Sequence, residues 1–598
     1  MSDDSSDQGA VPGASRRDWA LRASTPSRLA VGIVAVAVGA LLFLAPMRVQ
    51  TVALVTGIGF ALVGVVVALF PHGDGRVGLP ARVLGGVLVL LGVAMAIWPS
   101  AGAPGLAFLI GAALIVYGLF GVWQVVVGGD ARADRRISAA LTALASITVG
   151  VVVFAWPVLT LVVFRFGVAA WFVFLGLHLL FTTLIERCAR HGVRQRRGWP
   201  RTVAAAAALV LAVLLAYGSV RVLSGVPLPE PGPFYTAPAN VPAEPGRLLR
   251  SEPIDEGVPD GARGWRILYT TTHPDGGAAV SSGTILAPEN PSPDPYPLLT
   301  VAHGTTGIAP KCAPSLAPAP FDDGAGTALR EMVTQHGWVA VTSDYIGLGT
   351  QGTHPYLVGA AEARNVLDAS RAAREFDEIS TTADTVVWGH SQGGQAALWT
   401  GQLAATYAPE FRVKGVAAFA PAADLFGLAE VDKTEIGGKT VSAYIAATWN
   451  RLYPELRLAE QLTPGSRHGV GKIEDLCFNG KDALPALLHG SQIPNQLFPD
   501  RLLDGEFGAR LKEQTPVGPF PAPVLVAQGL SDPLVKPELQ QAWVDARCAA
   551  GLPIDYRTFP GLSHMSLVAA DSPLTPQLVQ WTLDRWNGLP PTPTCGVE

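Results

Sequence analysis

Apolar residues fill the first third of the chain in long runs, whereas apolar and polar positions alternate from residue 225 onward. Each run is close to the ~20 residues that a helix needs to cross a bilayer. We therefore predict about seven transmembrane helices, and the short link between the first two leaves six or eight open. The predicted spans are 29–47, 51–70, 81–98, 105–127, 138–156, 158–181 and 202–224.

The arginines that flank these spans predict an orientation, because Lys and Arg concentrate on the cytoplasmic side of membrane proteins. With the N-terminus inside, the inner segments hold fifteen arginines and the outer loops hold only Arg48. Residues 1–27 then form a disordered cytoplasmic tail, and 186–201 form an Arg-rich inner loop. Seven spans place everything after residue 225 outside the cytoplasm.

The first six spans contain an internal repeat. The segments "FLAPMR", "AIWPSA" and "FAWPVL" place Pro46, Pro99 and Pro157 at spacings of 53 and 58 residues, so that each proline joins two spans into a helical hairpin. Glycines on the apolar faces would let the helices approach closely. This pattern resembles the six-span, three-hairpin family of HdeD-type acid-resistance membrane proteins over about 28–185. The span 202–224 lies outside that pattern and is expected to act as a tether.

Beyond the spans, a proline-rich linker at 225–246 leads into a domain over 247–598. The stretches "GWRILYTTT" and "AAVSSGTILAP" alternate as two antiparallel strands do. Buried runs such as "YPLLTVAHG", "GWVAVTSDY" and "DTVVWGHS" are typical of parallel strands and are interleaved with helical patterns. We therefore predict a multi-domain protein, in which a helical membrane bundle precedes a doubly wound α/β-hydrolase domain.

The sequence "WGHSQGGQ" contains Gly389-x-Ser391-x-Gly393 between a predicted buried strand and an Ala-rich helix. That context favours a nucleophile elbow, which needs a strand, a sharp turn at Ser and a helix. In this fold the acid and the histidine follow the serine in the chain. Asp532 follows the strand "PVLVAQG", and His564 follows "IDYRTFPG". We predict Ser391, Asp532 and His564 as a catalytic triad, while His303 and His390 shape the neighbouring motifs.

Two backbone N–H groups are expected to form an oxyanion hole. One is the N–H of Gln392, directly after the predicted nucleophile. The other comes from the loop "HGTTG", where Thr305 is our choice and Thr306 stays open. About 95 residues, 425–520, separate two core strands and carry helical patterns. We predict that they form a cap that covers the site and shapes an apolar acyl pocket.

The charge and the cysteine count narrow the classes of function. The net charge of −5 gives no support to nucleic-acid binding. One cysteine, Cys188, falls in the Arg-rich loop. Four lie in the predicted extracytoplasmic domain, where an even count suits two disulfides, although four buried thiols remain the alternative. These four are Cys312, Cys477, Cys548 and Cys595.

The domain resembles the secretory lipase family of α/β-hydrolases over about 230–598. The resemblance rests on "KCAPS", "SDYIGLG", "GHSQGG", "QGLSDPLV" and "WVDARCAAGLPIDYRTFPGLSH". It implies ester or lipid hydrolysis by the predicted triad, and it implies disulfides joining Cys312 to Cys477 and Cys548 to Cys595. One departure is the oxyanion loop, which has Thr where yeast lipase A of that family has an acidic residue.

Together these features predict a multi-pass, membrane-anchored serine hydrolase that acts on lipid or carboxylic esters outside the cytoplasm. No metal or organic cofactor and no nucleic-acid partner are expected, and any partner of the membrane half is left undefined. Two alternatives stay open. One is an acyltransferase that uses the same triad. The other is a membrane scaffold that carries an inactive hydrolase fold.

Overall fold

The computed structural model divides into two compact units, Met1–Ala216 and Tyr217–Glu598. It describes residues 79–97, 99–127, 133–185, 199–224, 228–322, 324–479 and 482–595, with single positions between 33 and 65. The predicted tail at 1–27, most of the loop 186–201 with Cys188, and all but scattered positions of the first two spans lie outside the described residues.

Five helices coincide with the last five predicted spans. In chain order they are α1 (Leu79–Ile97), α2 (Pro99–Val127), α3 (Ala133–Ala155), α4 (Pro157–Ile185) and α5 (Trp199–Leu223). Within the described residues, three helical stretches are long and apolar enough to cross a membrane, and the full count of seven stays a prediction. These stretches are Gly105–Val127, Ala133–Ala155 and Thr202–Leu223.

Prolines begin two of these helices, and glycines lie where two of them approach closely; the arrangement in three hairpins stays a prediction. Pro99 and Pro157 are the first residues of α2 and α4, where the missing proline N–H leaves no intrahelical bond unmade. A Cβ added at Gly111 would lie 3.0 Å from the carbonyl oxygen of Gly150, so α2 and α3 approach each other backbone to backbone. Such close approach needs small residues at the contact.

The C-terminal unit is built on a nine-stranded sheet in the order β1-β2-β3-β5-β4-β6-β7-β8-β9. The first three strands and β5 pair antiparallel, and the pairs from β5 to β9 are parallel. The strands are β1 (Leu248–Ile254), β2 (Ala262–Thr272), β3 (Ala278–Pro288), β4 (Tyr296–Ala302), β5 (Val339–Ser343), β6 (Thr381–His390), β7 (Arg412–Phe419), β8 (Val524–Gly529) and β9 (Ile554–Phe559).

The predicted antiparallel hairpin is confirmed as β2 and β3, and the predicted parallel strands are confirmed as β4, β5, β6, β7 and β8. Apolar runs in the sequence predicted these parallel strands, because a strand buried on both faces has apolar residues at successive positions. In β8, for example, every residue is buried. The edge strand β1 was not predicted. Its burial is mixed and it includes Arg250, Glu252 and Pro253, which are residues that edge strands tolerate.

Helices pack on the sheet and also form a separate layer above the carboxyl ends of its strands. The sheet helices are α6 (Gly326–Thr334), α7 (Gly359–Arg374), α8 (Gln392–Tyr407), α16 (Pro537–Ala549) and α17 (Leu574–Trp586). Seven further helices lie between β7 and β8 and are called the cap here. They are α9 (Leu425–Val431), α10 (Ile436–Leu452), α11 (Leu458–Gln461), α12 (Ser466–Ile473), α13 (Ala483–Ser491), α14 (Asp500–Leu503) and α15 (Glu506–Glu513).

The cap has its own apolar core, which includes Tyr444, Trp449 and Phe507. The same cluster contains Tyr356 and Leu357 from the loop that precedes α7. Burial of these large side chains provides the main favourable free energy for holding the cap on the sheet. The carboxyl ends of the parallel strands, where ligand sites of open α/β sheets form, therefore lie beneath the cap.

Candidate active site

Ser391 stands at the turn between β6 and α8. Its backbone has φ +58° and ψ −119°, a conformation that residues other than glycine rarely adopt. Three backbone hydrogen bonds hold the turn: the Ser391 N–H donates to the Phe419 carbonyl (2.9 Å), and the Ser391 carbonyl accepts from the N–H groups of Gln395 (3.1 Å) and Ala422 (3.2 Å). This strained strand-to-helix turn is the geometry of a nucleophile elbow.

The two glycines of the motif are required by the space around the elbow. A Cβ at Gly389 would overlap the carbonyl oxygen of Gly393, and a Cβ at Gly393 would overlap the carbonyl oxygen of Ala302 on β4. Neither clash can be relieved by a side-chain rotation, because the opposing atoms are backbone. The motif therefore reflects close packing of α8 against the turn and its neighbouring strand.

The structure brings His564 and Asp532 together. His564 Nδ1 lies 2.8 Å from Asp532 Oδ2, and both side chains are buried. Asp532 Oδ1 also accepts hydrogen bonds from the backbone N–H groups of Leu534 (2.8 Å) and Val535 (2.9 Å). Burial alone would raise the pKa of Asp532, but its bonds with His564 and with these N–H groups outweigh burial and lower the pKa.

With Nδ1 of His564 engaged by Asp532, Nε2 is the ring nitrogen left to exchange a proton. His564 and Ser391 line the same pocket. His390 fixes the backbone of His564, because its Nε2–H donates to the His564 carbonyl (3.1 Å) and the two rings lie 4.6 Å apart. Burial, and next the neighbouring His564, lower the pKa of His390 to about 3, so His390 stays neutral in this role. The role of His390 in shaping the site stays a prediction, and its contacts with His564 support it.

The pocket above Ser391 has a volume of about 450 Å³, within the usual range for small-molecule sites, roughly 300–1,000 Å³. The base of the pocket is lined by Ser391, Gln392 and His564, and most of the other lining residues belong to the cap. The cap side chains that face it are mostly apolar and include Leu425, Leu428, Val441, Ile445, Phe478 and Leu487. The arrangement can hold an apolar chain next to a serine and a histidine.

Of the two threonines considered for the second oxyanion donor, Thr305 lines the pocket beside Gly304. Its hydroxyl lies 2.9 Å from the Tyr356 hydroxyl. Thr306 is fully buried and its carbonyl accepts from the Phe478 N–H (2.7 Å) on the cap side. Gln392 begins α8, where the positive end of the helix dipole favours a developing negative charge.

Glu362 and His354, which contact the side chain of Gln392, were not predicted from the sequence. Glu362 Oε1 accepts from Gln392 Nε2 (2.6 Å) and from the Leu357 N–H (2.8 Å). His354 Nδ1 faces the Ile346 carbonyl (3.2 Å), so it carries the proton and leaves Nε2 to accept from Gln392 Nε2 (3.2 Å). One weak signal in the sequence marks Glu362, which is a lone acid in the apolar first turn of α7.

Both cysteine pairs implied by the resemblance are disulfide-bonded in the structure. Cys312 is bonded to Cys477 and joins the segment after the oxyanion loop to the cap. Cys548 is bonded to Cys595 and joins the end of α16 to the C-terminal segment. Within the described residues, no group of three or more His, Cys, Asp or Glu side chains could hold a metal ion.

Comparisons with known proteins confirm the resemblance of the C-terminal unit to secretory lipases. Residues 327–594 match the family model described as secretory lipase. Residues 83–148 and 141–217 each match a short repeat of unknown function, in agreement with the predicted internal repeat. The second copy extends to residue 217, so part of the span 202–224 lies within the repeat, contrary to our expectation.

Individual relatives match about three fifths of the chain. A probable inactive lipase of Mycobacterium tuberculosis is 25% identical over 385 residues, which are 61% of this chain and 84% of that protein. A secreted triacylglycerol lipase of Malassezia globosa is 28% identical over 386 residues, 60% of this chain and 82% of that protein. The match to the crystal structure of Candida antarctica lipase A covers 62% of this chain and 90% of the lipase chain, with a TM-score of 0.52 and 21% sequence identity. That likeness establishes the α/β-hydrolase fold.

Proposed function

We propose that the C-terminal unit is a carboxylic ester hydrolase in which Ser391, His564 and Asp532 act as a triad on lipid or other esters with an apolar acyl chain. The observation that carries the proposal is the convergence of three features at one pocket: a serine on a strained elbow, a histidine paired with a buried carboxylate, and apolar walls. The matches to secretory lipases support the same class of reaction.

In this mechanism, His564 Nε2 takes the proton of Ser391 as the serine oxygen attacks the ester carbonyl. Asp532 keeps His564 in the right tautomer and stabilises the imidazolium that forms. The negative charge that develops on the carbonyl oxygen is stabilised by the N–H groups of Gln392 and Thr305. His564 then gives its proton to the leaving alcohol, and an acyl group remains on Ser391. Water, activated by the same histidine, releases the acid.

The pocket suggests the class of acyl group. Most of the described lining is apolar, and cap residues such as Leu428, Ile445 and Phe478 extend it away from Ser391. Apolar surface of this kind favours an alkyl chain by roughly 0.8 kcal/mol for each buried CH₂ group. We therefore expect kcat/KM to increase with acyl length until the pocket is filled, and then to level off.

We also propose that the hydrolase unit works outside the cytoplasm, tethered by the membrane helices. The two disulfides support this location, because such bonds persist in oxidising compartments. The apolar helices of the N-terminal unit and the arginine bias of its loops support the membrane attachment and the orientation.

An inactive hydrolase fold on a membrane scaffold is the rival proposal, and it draws support from the relative named a probable inactive lipase. The two proposals differ in one assay. The full-length protein in detergent micelles would be given p-nitrophenyl esters of increasing acyl length, beside the Ser391→Ala variant. We expect hydrolysis by the wild type and a loss of at least about 10³-fold in the variant. Equal rates in both proteins would refute the assignment of Ser391.

A further inference from the structure

Glu362 occupies a position that the mechanism above does not use. It is the fourth residue of α7, it is completely buried, and one of its two carboxyl oxygens receives both of its hydrogen bonds. Its other oxygen, Oε2, has no hydrogen-bond partner within the described part of the chain. Burying a carboxyl oxygen without a hydrogen-bond partner costs free energy, so this position calls for an explanation.

The first bond of Glu362 leads to one proposed oxyanion donor. Gln392 Nε2 lies 2.6 Å from Glu362 Oε1, and its second amide hydrogen is directed to His354 Nε2 at 3.2 Å. The side chain of Gln392 is thus fixed at its tip by two buried partners. Because the backbone N–H of Gln392 is also the proposed oxyanion donor, fixing the side chain of this pocket-lining residue limits the ways in which that N–H can tilt.

The second hydrogen bond of Glu362 connects it indirectly to the other proposed donor, Thr305. Glu362 Oε1 accepts from the N–H of Leu357, a pocket-lining residue held at φ +58°. The preceding residue, Tyr356, places its hydroxyl 2.9 Å from Thr305 Oγ1. A helix-capping role would explain the bond to Leu357, five residues earlier in the chain. It would not explain the bond to Gln392, which belongs to a different helix.

We propose that Glu362 is a positioning residue that sets the separation of the two oxyanion donors, Gln392 and Thr305, by holding both sides of the site to one carboxyl oxygen. The inference rests on the proposed function, because it gives a role to donors that matter only if an oxyanion forms. It extends that function, because it assigns control of kcat to a buried residue that lies outside the pocket and does not touch the substrate.

The charge state of Glu362 follows from its surroundings. Burial raises the pKa of Glu362 to about 8, and the titratable side chains beside it are His354 and Tyr356. Burial, and next the neighbouring His303, lower the pKa of His354 to about 3, and burial raises the pKa of Tyr356, so both stay neutral at ordinary pH. Glu362 is therefore neutral below about pH 8. Above that pH, a negative charge behind Gln392 would oppose the charge of the oxyanion.

The test compares Glu362→Ala and Glu362→Gln in the full-length protein, with a p-nitrophenyl ester as substrate. Complete loss of an oxyanion donor costs about 10²–10³-fold in rate. Loosening of both donors in Glu362→Ala should therefore lower kcat about 10–100-fold and leave KM within about twofold. Glu362→Gln keeps an oxygen acceptor and cannot ionise. It should keep most of the activity at pH 7 and lack the decline of kcat above pH 8 that we expect of the wild type.

Asp368 supplies the matched control. It lies on the same helix, is also buried, and accepts hydrogen bonds from Thr271 (2.7 Å) and Tyr407 (2.9 Å), neither of which lines the pocket. Asp368→Ala should destabilise the fold and leave kcat within about twofold. An equal loss of kcat in both alanine variants would overturn the proposal, as would an unchanged kcat in Glu362→Ala.

Two further outcomes keep the experiment decisive. If Glu362→Ala does not fold, the dependence of kcat on pH in Glu362→Gln decides. A decline of kcat above pH 8 in Glu362→Gln that equals the decline in the wild type would overturn the positioning role. Ser391→Ala is measured alongside. If it retains activity, the proposed function fails. If it is inactive while the Glu362 variants behave as wild type, only the inference about Glu362 fails.

Discussion

The disulfide between Cys312 and Cys477 is predicted to affect activity, whereas the one between Cys548 and Cys595 should affect stability alone. The first bond fastens the cap directly behind the oxyanion loop. Phe478, next to Cys477, donates its N–H to the Thr306 carbonyl (2.7 Å) and also lines the pocket. The second bond lies at the far end of α16, and neither of its cysteines lines that pocket.

The size of the stability effect follows from the loops that the bonds close. The two bonds join residues 165 and 47 positions apart. In the chain-entropy model these loops correspond to about 5 and about 4 kcal/mol of stabilisation at 25 °C. Replacing each pair by serines should therefore lower the stability of the unit by similar amounts. Pulse proteolysis in a urea series would measure both losses in the full-length protein.

The two double-serine variants should differ in kcat, although they should lose similar amounts of stability. In urea-free buffer at a temperature where both variants stay folded, the Cys312→Ser, Cys477→Ser protein should lose most of its kcat, because the Thr305 loop can move relative to the cap. The Cys548→Ser, Cys595→Ser protein should keep kcat within about twofold. Equal kcat values in the two variants would refute the idea that the first bond positions the oxyanion loop.

Three more predictions follow from the site and the membrane half. Gly393→Ala should abolish activity and lower stability, since its Cβ would overlap the Ala302 carbonyl; a fully active variant would contradict the elbow geometry. Asp532→Asn should lower kcat by about 10⁴-fold. The pKa of Asp532 is lowered in the fold, so its carboxylate stabilises the fold above its ordinary pKa, and this stabilisation is lost as the pH falls. The free energies of unfolding of the wild type and Asp532→Asn, measured by chemical denaturation, should therefore converge below about pH 4. A reporter active only outside the cytoplasm should be active when fused after residue 225 and silent when fused at 195; the reverse pattern would place the hydrolase unit inside.

The parts of the fold that could be predicted are those whose residues carry local evidence. β6 and the elbow were predictable because a buried apolar run, two glycines and an Ala-rich helix lie next to one another in the chain. Asp532 and His564 were predictable because both follow strands in the order that the fold requires. β1 was not, because an edge strand with exposed and charged positions has no strong alternation.

The parts that could not be predicted depend on contacts between distant positions. The bond between Glu362 and Gln392 joins two helices 30 residues apart, and nothing in either segment marks the other as its partner. Thr305 and Thr306 are adjacent and identical, so only the backbone path shows that Thr305 faces the pocket. The cysteine count allowed two disulfides or none, and the pairing came from the family resemblance rather than from spacing.

The most direct test of the proposed hydrolase is covalent labelling of Ser391. The full-length protein would be treated with a serine-directed fluorophosphonate and digested, and its peptides would be analysed by mass spectrometry. The proposed triad predicts one label, on the peptide that contains Ser391, and no label in His564→Ala, because the serine is activated by the histidine. An unlabelled wild type, or a label on another serine, would contradict the assignment and would favour an inactive hydrolase fold.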